Sequence, residues 1–288
     1  MNTAVITGAT SGIGYAAAKS LLAMGYRLLL AGRTAENCEK AQAALTKEFP
    51  GAETVFFCGD LMQQGEVRRL AGEMADFLNK RCGGRLDVLI NNAGAVRAWY
   101  ATTKEGYEQQ FALNHLAGFL LAHHLMGYLK KAGGRMILTG SGSHKHTRVR
   151  WDDVMFQRRR YSCLRAYKQT KMCNMLFAKE FNRRFLKDGV RAYVVDPGLV
   201  STDIGFKGTS GIVRAVWRLR KRGGIPADQA ALTYAFLCKP PFAQTGLYYL
   251  DSKEAPYDRR ADDARDGEKL FELSERLCGI ASYGEGSS

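Results

Sequence analysis

Short aliphatic runs and longer amphipathic ones alternate along this chain. Runs rich in β-branched and aliphatic residues at 3–7, 27–31, 54–58, 86–91, 135–139, 190–195 and 246–250 read as strands. Helix-period patterns lie between them at 13–24, 35–48, 65–80, 103–130, 166–187 and 227–238. Gly25 and Gly189 stand where two of these helices should stop, because glycine accepts the left-handed cap conformation. A last amphipathic run over 261–278 places Ala264, Leu270, Phe271, Leu277 and Cys278 on one side, with Gly279 as its cap. A C-terminal helix over 261–280 is therefore expected.

Strand–helix alternation requires right-handed crossovers and a parallel sheet covered on both faces. The predicted fold is α/β: a single Rossmann-type, doubly wound parallel sheet of about seven strands with helices on both faces. No linker, repeat or low-complexity block interrupts the 288 residues, so 1–288 reads as one domain. With 46% apolar residues it can bury an ample core. Such sheets bind ligands beyond the carboxyl ends of their strands, where the strand order reverses.

Seven scattered cysteines without a Cys-x-x-Cys predict reduced thiols and a cytoplasmic setting. The first strand and the turn after it occupy the extreme N-terminus, so no signal peptide is expected. The longest apolar stretch, Phe119 to Leu129, contains His123 and His124, and no membrane span is expected. The net charge of +14 points to an anionic partner: nucleic acid, a membrane surface or a phosphorylated ligand. The charge is uneven, with nine Lys/Arg from Lys145 to Lys171 and six, with no acid, from Lys207 to Arg222.

Directly after the first strand, the turn Thr7-Gly8-Ala9-Thr10-Ser11-Gly12-Ile13-Gly14 spaces its glycines as Gly-x3-Gly-x-Gly. Glycine lets a backbone turn sharply and approach a pyrophosphate, while the following helix offers unpaired N–H groups to the anion. Glycines alone also serve ordinary tight turns, so the strand before and the helix after are what strengthen this reading. At the end of the second strand, where an NAD site would carry Asp or Glu, stand Arg33 and Thr34. A guanidinium there favours a 2′-phosphate, so NADP(H) is predicted over NAD. Gly59-Asp60-Leu61 ends the third strand and Asn91-Asn92-Ala93-Gly94 the fourth.

Tyr167 and Lys171 stand one helical turn apart on one face. A free phenol has a pKa near 10, too high for efficient acid–base work at neutral pH; a nearby ammonium stabilises the phenolate. Tyr161, followed by Arg165 at the same spacing, is a rival, and only position can decide between them. The fifth strand runs into Gly140-Ser141-Gly142-Ser143, where a serine hydroxyl could donate to a substrate carbonyl oxygen. Asn114 is a candidate anchor for a water chain from Lys171. No metal site is expected: His144 and His146 read as solvated or substrate-pocket residues of a loop.

These motifs, with Pro197-Gly198-x3-Thr202, occur in the order typical of the short-chain dehydrogenase/reductase family, which the chain resembles over nearly its whole length. The resemblance implies roles. Asp60 sits by the adenine, the stretch Asn91-Asn92-Ala93-Gly94 supports the cofactor, the Pro197-Gly198 turn and Thr202 hold its carboxamide end, and Leu61 and Val200 also bind it. Ser141 and Tyr167 polarise and protonate the carbonyl, Lys171 binds the nicotinamide ribose, and Asn114 completes the proton relay. Leu113–Leu121, the long Ser141–Tyr167 spacing and the tail Gly246–Lys253 are similar to retinol dehydrogenases. The run Tyr167–Leu176 is similar to light-dependent protochlorophyllide reductase, whereas Asp196 departs from the His or Asn frequent at its position.

The resemblance implies a small apolar carbonyl or alcohol substrate and a homodimer or homotetramer. The rival class is a non-catalytic NADP-binding protein that uses its basic patches on nucleic acid or an anionic membrane. A pure binder has no need of Ser141, Tyr167 and Lys171 together, so no nucleic-acid partner is expected. Residues 207–225 are expected to form a basic, amphipathic substrate lid, either an ordinary solvated helix packed on the domain or one in weak contact with an anionic membrane surface.

Overall fold

The computed structural model describes residues 1–200, 223–240 and 244–284. Seven parallel strands alternate with helices, all but those at the edges having side chains buried on both faces. They are β1 (Thr3–Thr7), β2 (Arg27–Gly32), β3 (Thr54–Cys58), β4 (Val88–Asn91), β5 (Arg135–Thr139), β6 (Arg191–Asp196) and β7 (Tyr248–Leu250). Order across the sheet is β3-β2-β1-β4-β5-β6-β7. It reverses between β1 and β4, where Ala4 pairs with Val88 and Ile6 with Ile90. A crevice opens there at the strands' carboxyl ends.

One more strand than the pattern suggested closes the edge. β8 (Lys253–Glu254) pairs antiparallel with β7. Asp251 and Ser252 both take positive φ, 49° and 59°, as a two-residue hairpin turn requires. Too short to show alternation, β8 left no periodic signal in the sequence.

One layer of helices contains α1 (Gly12–Ala23), α2 (Ala35–Glu48) and α7 (Ala227–Cys238). The other contains α3 (Gln64–Arg81), α5 (Ala117–Ala132), α6 (Cys163–Phe185) and α8 (Ala264–Cys278). Two apolar layers result, one centred on Ile6, Leu21, Leu28 and Tyr234, the other on Phe119, Phe177, Phe181 and Phe271. α8 buries Gly267, Leu270, Phe271, Ser274 and Cys278, so Ser274 lies in the stripe while Ala264 is exposed.

The helix expected from 103 begins later. Glu108 caps a short α4 (Gln109–Phe111), its carboxylate accepting from the N–H groups of Gln110 and Phe111 at 3.0 and 2.8 Å. A local reversal precedes it, with Thr102 bridging Glu108 around Gly106, which takes φ 86°. Between α4 and α5 the backbone widens into a π-helical turn (Ala112–Leu116). Such turns commonly sit at functional positions, and this one carries Asn114.

Candidate active site

The crevice begins as a groove of about 310 Å³ over the turn after β1. Gly8 and Gly12 take φ 68° and 58°, conformations that strain a residue bearing Cβ. Gly14 is needed for contact: a Cβ there would lie 2.3 Å from the Gly8 carbonyl oxygen and 2.5 Å from Asn92 Nδ2. Gly12, at the N-terminus of α1, lines the groove with Thr10, Ser11 and Ile13, as an anion-binding helix start would.

Arg33, Asp60, Leu61, Asn92, Ala93 and Gly94 line the same groove. Asn92 does two things at once, since its carboxamide also donates to the carbonyls of Thr7 and Gly8 at 3.0 and 3.4 Å. The Thr7 hydroxyl in turn accepts from the N–H groups of Asn92 and Ala93 at 3.0 Å each. Thr34 serves as the cap of α2, its hydroxyl accepting from Asn37 Nδ2 at 2.8 Å, while Asn37 lines the groove. Arg97, which sequence reasoning missed, lines it too. Burial first, and the charge of Arg33 second, lower the Arg97 pKa.

On the β6 side, Gly198 (φ 72°) donates its N–H to Asp196 Oδ1 at 2.9 Å. The other Asp196 oxygen accepts from the Tyr248 hydroxyl at 2.6 Å, so the residue that departs from the family pattern holds the Pro197-Gly198 turn. Val200 bridges Ile225 in parallel. Thr202 and residues 207–222 of the expected lid lie outside the described residues.

Beneath this turn stand the chemistry candidates. Lys171 is only 4% exposed, and its Nζ donates to the Thr139 carbonyl at the end of β5 at 2.8 Å. It lies 5.4 Å from the Tyr167 ring centroid. Burial lowers its pKa to about 8, opposed by the charge of Asp196, so the group remains mainly cationic at neutral pH. Asn114 connects to the same helix turn: its Nδ2 donates to Thr170 Oγ1 at 3.2 Å and to the Ala95 carbonyl at 3.0 Å. Thr170 itself donates to the Tyr167 carbonyl at 2.8 Å. The residues between Tyr167 and Lys171 are thus part of the construction, although their spacing alone carried no such signal.

Ser141 caps a short 3-10 turn (Gly142–His144), its Oγ accepting from Ser143 N–H at 3.2 Å. Accepting that bond leaves the hydroxyl proton to be donated elsewhere. Tyr161 has its hydroxyl engaged within the protein. Its hydroxyl donates to Glu108 Oε1 at 3.0 Å and accepts from Gln110 Nε2 at 2.7 Å. Burial and the Glu108 charge push its pKa well above the phenolic range, and nothing here gives Arg165 the role its spacing suggested. Of the two loop histidines, His146 is exposed, whereas His144 is fully buried rather than solvated, with both ring nitrogens meeting backbone partners. Among the described residues no cluster of three or more His, Cys, Asp or Glu is arranged for a metal.

The short chain dehydrogenase family model matches residues 2–210. The chain belongs to the short-chain dehydrogenase/reductase family. Its glycine turn and Asn-Asn-Ala-Gly stretch line one groove, and Thr139 joins that groove to the Tyr-x3-Lys helix through Asn92 and Lys171. Human retinol dehydrogenase 13 is 31% identical, the match covering 96% of this chain and 85% of the relative, which supports the retinol-dehydrogenase-like branch. A protein from Mycobacterium Paratuberculosis shares the fold at TM-score 0.75 and 27% identity, over 97% of this chain and 94% of that one. A short-chain dehydrogenase from Sphingobium yanoikuyae, solved in complex with NADPH, superposes at TM-score 0.69 with 21% identity over 96% of each chain.

Proposed function

We propose that this protein is an NADP(H)-dependent oxidoreductase acting on a carbonyl or alcohol of an apolar substrate, with Tyr167 as general acid and base. One observation carries the reading: Lys171, an almost fully buried ammonium, is held by the Thr139 carbonyl beside the Tyr167 ring. No ion pair to Lys171 occurs among the described residues. Burying a cation without a carboxylate partner is costly, and a purely structural helix would gain nothing from it.

The groove residues fit a dinucleotide. Left-handed Gly8 and Gly12 bring the backbone close to a pyrophosphate, and Asp60, Leu61, Asn92, Ala93 and Gly94 flank the adenosine half. Arg33 is the cation for a 2′-phosphate, with no acid at that strand end to favour the unphosphorylated ribose. The nicotinamide, when bound, exchanges hydride with the substrate carbon. Ser141 donates to the substrate oxygen and Tyr167 gives or takes the proton on that oxygen. Lys171 supplies the charge that keeps the phenolate accessible, and Asn114 connects the site to its proton source. Retinol dehydrogenase relatives, together with the apolar character expected of the substrate, favour a retinoid, steroid or lipid aldehyde.

The decisive screen follows dinucleotide oxidation with retinal, a steroid ketone, decanal and a quinone as acceptors. Turnover of at least one carbonyl, faster with NADPH than with NADH, is expected. No oxidation of either dinucleotide by any acceptor would leave a binding protein.

A further inference from the structure

From the hydrogen bonds around the turn after β5, we infer that His144 is a positioning residue, a neutral Nδ1-protonated imidazole that fixes Ser141 for donation to the substrate oxygen. The inference rests on the role proposed for Ser141.

The partners define the tautomer. His144 Nδ1 lies 2.7 Å from the Ser141 carbonyl oxygen, which can only accept, so Nδ1 carries the proton. Nε2 lies 3.1 Å from the backbone nitrogen of Asp258, which can only donate, so Nε2 offers its lone pair. Both valences of a neutral ring are thereby used. Burial, the largest influence, lowers the His144 pKa and keeps it in that form at neutral pH, while the nearby Asp196 and Asp258 oppose the shift.

The ring is also held from the side. It meets Tyr248 edge-on, 5.1 Å between centroids, and Tyr248 donates to the Asp196 carboxylate that holds the Pro197-Gly198 turn. Asp258 clamps the loop twice. Its N–H reaches His144, and its Oδ2 accepts from His146 N–H at 2.6 Å. His146 has φ 58°, a left-handed conformation that a residue with Cβ keeps only when its surroundings hold it. The segment after β8 therefore reaches back over 112–114 residues of sequence to lock the two residues that follow Ser143 and Lys145.

The consequence falls on Ser141. Its backbone is extended (φ −178°, ψ 147°), and three contacts fix it: His144 N–H and Nδ1–H on its carbonyl, and Ser143 N–H on its hydroxyl. Loss of the imidazole removes one support from the carbonyl and the tie to Asp258. The hydroxyl would then lose its fixed direction toward the substrate oxygen, and misplacement of about 1 Å can cost on the order of a hundredfold in rate. Cofactor binding in the groove over β1 and β4 uses none of these hydrogen bonds, and an aromatic ring kept at 144 would still pack on Tyr248 beside the Pro197-Gly198 turn.

Two substitutions separate positioning from packing. His144→Asn retains a short N–H donor near the Nδ1 position, whereas His144→Phe retains the ring against Tyr248 but neither hydrogen bond. With retinal or decanal as acceptor, His144→Phe should lower kcat about ten- to hundredfold with NADPH affinity, read by fluorescence titration, within about twofold of wild type. His144→Asn should recover most of kcat. A long-range proton–nitrogen NMR spectrum of the wild-type protein, which needs no turnover, should show His144 as the neutral Nδ1–H tautomer.

An Nε2–H or doubly protonated ring would overturn the inference. So would a folded His144→Phe protein with wild-type kcat, or His144→Asn and His144→Phe falling equally. Ser141→Ala serves as the separate control. If it turns over normally, the role assigned to Ser141 is at fault, and the NMR tautomer still decides what His144 does.

Discussion

The Lys171 ammonium donates to the Thr139 carbonyl at 2.8 Å while lying 5.4 Å from the centre of the Tyr167 ring. A backbone carbonyl at the end of β5 thus holds an ammonium beside the neighbouring phenol, and a charge so placed favours the phenolate. If Tyr167 is the base in alcohol oxidation, as proposed, the rate rises with pH until the phenolate forms. Replacing Lys171 by Met should move that rising limb upward by at least about one pH unit at saturating NADP, equivalent to about 1.4 kcal/mol of lost stabilisation. A pH profile of kcat in the oxidative direction measures it; an unmoved limb would show that Lys171 serves only in binding.

Arg33 should control cofactor choice. Arg33→Asp places a carboxylate where a 2′-phosphate would lie, and preference should shift toward NADH by about ten- to a thousandfold, about 1.4 kcal/mol per factor of ten. Kd values for NADPH and NADH, measured side by side, check this. An unchanged ratio would move the phosphate to another cation of the groove, Arg97 being the neighbour at hand.

Thr170 should matter to turnover without touching the cofactor groove. It accepts from Asn114 Nδ2 and donates to the Tyr167 carbonyl, so Thr170→Val leaves Asn114 short of one partner deep in the protein. The loss of such a buried bond costs about 1–3 kcal/mol. We expect kcat to fall about tenfold, a lower melting temperature, and NADPH affinity unchanged. Wild-type kcat in Thr170→Val would remove the Asn114–Thr170 link from the relay.

His115 should make the fold acid-sensitive. Fully buried, it has its pKa lowered to about 4 by burial, with the nearby Asn174 carboxamide opposing the shift. Its ring bonds Ser274 at 2.8 Å, joining the π-helical turn to α8. An unfolded histidine titrates near 6.5, so the unfolded chain takes up the proton first as pH falls. The contribution is complete above about 6.5 and is lost as pH falls toward 4, by about 1.4 kcal/mol per unit. Thermal melts from pH 7 to 4.5 should show a smaller decline in His115→Gln than in wild type. Equal slopes would assign the acid loss to other groups.

Much of the fold was legible because its signals are local. Seven apolar runs became seven parallel strands, the glycine turn and Asn92 meet beyond the ends of β1 and β4, and Lys171 reaches the end of β5 from α6. What escaped is long-range. Nothing near His144 in the sequence announces Asp258, 114 positions away, so a buried clamp read as a loop histidine. The π-helical turn at Ala112–Leu116 has an ordinary helical pattern, and its widening becomes visible only when Asn114 reaches Ala95 and Thr170. The helix beginning at Gln109 looked longer because Glu108, its cap, is also a good helix former.

The central claim is that Tyr167, rather than Tyr161, transfers the proton. Single-turnover hydride transfer from NADPH to the best acceptor of the screen, with NADPH affinity measured in parallel, tests it most directly. Tyr167→Phe should lower the rate by at least about a thousandfold, within the range of 10²–10⁴ typical for loss of a positioned acid, while NADPH still binds. Tyr161→Phe, which removes a hydroxyl already committed to Glu108 and Gln110, should retain turnover within about tenfold of wild type. Near-normal hydride transfer in Tyr167→Phe, or abolition by Tyr161→Phe alone, would contradict the assignment.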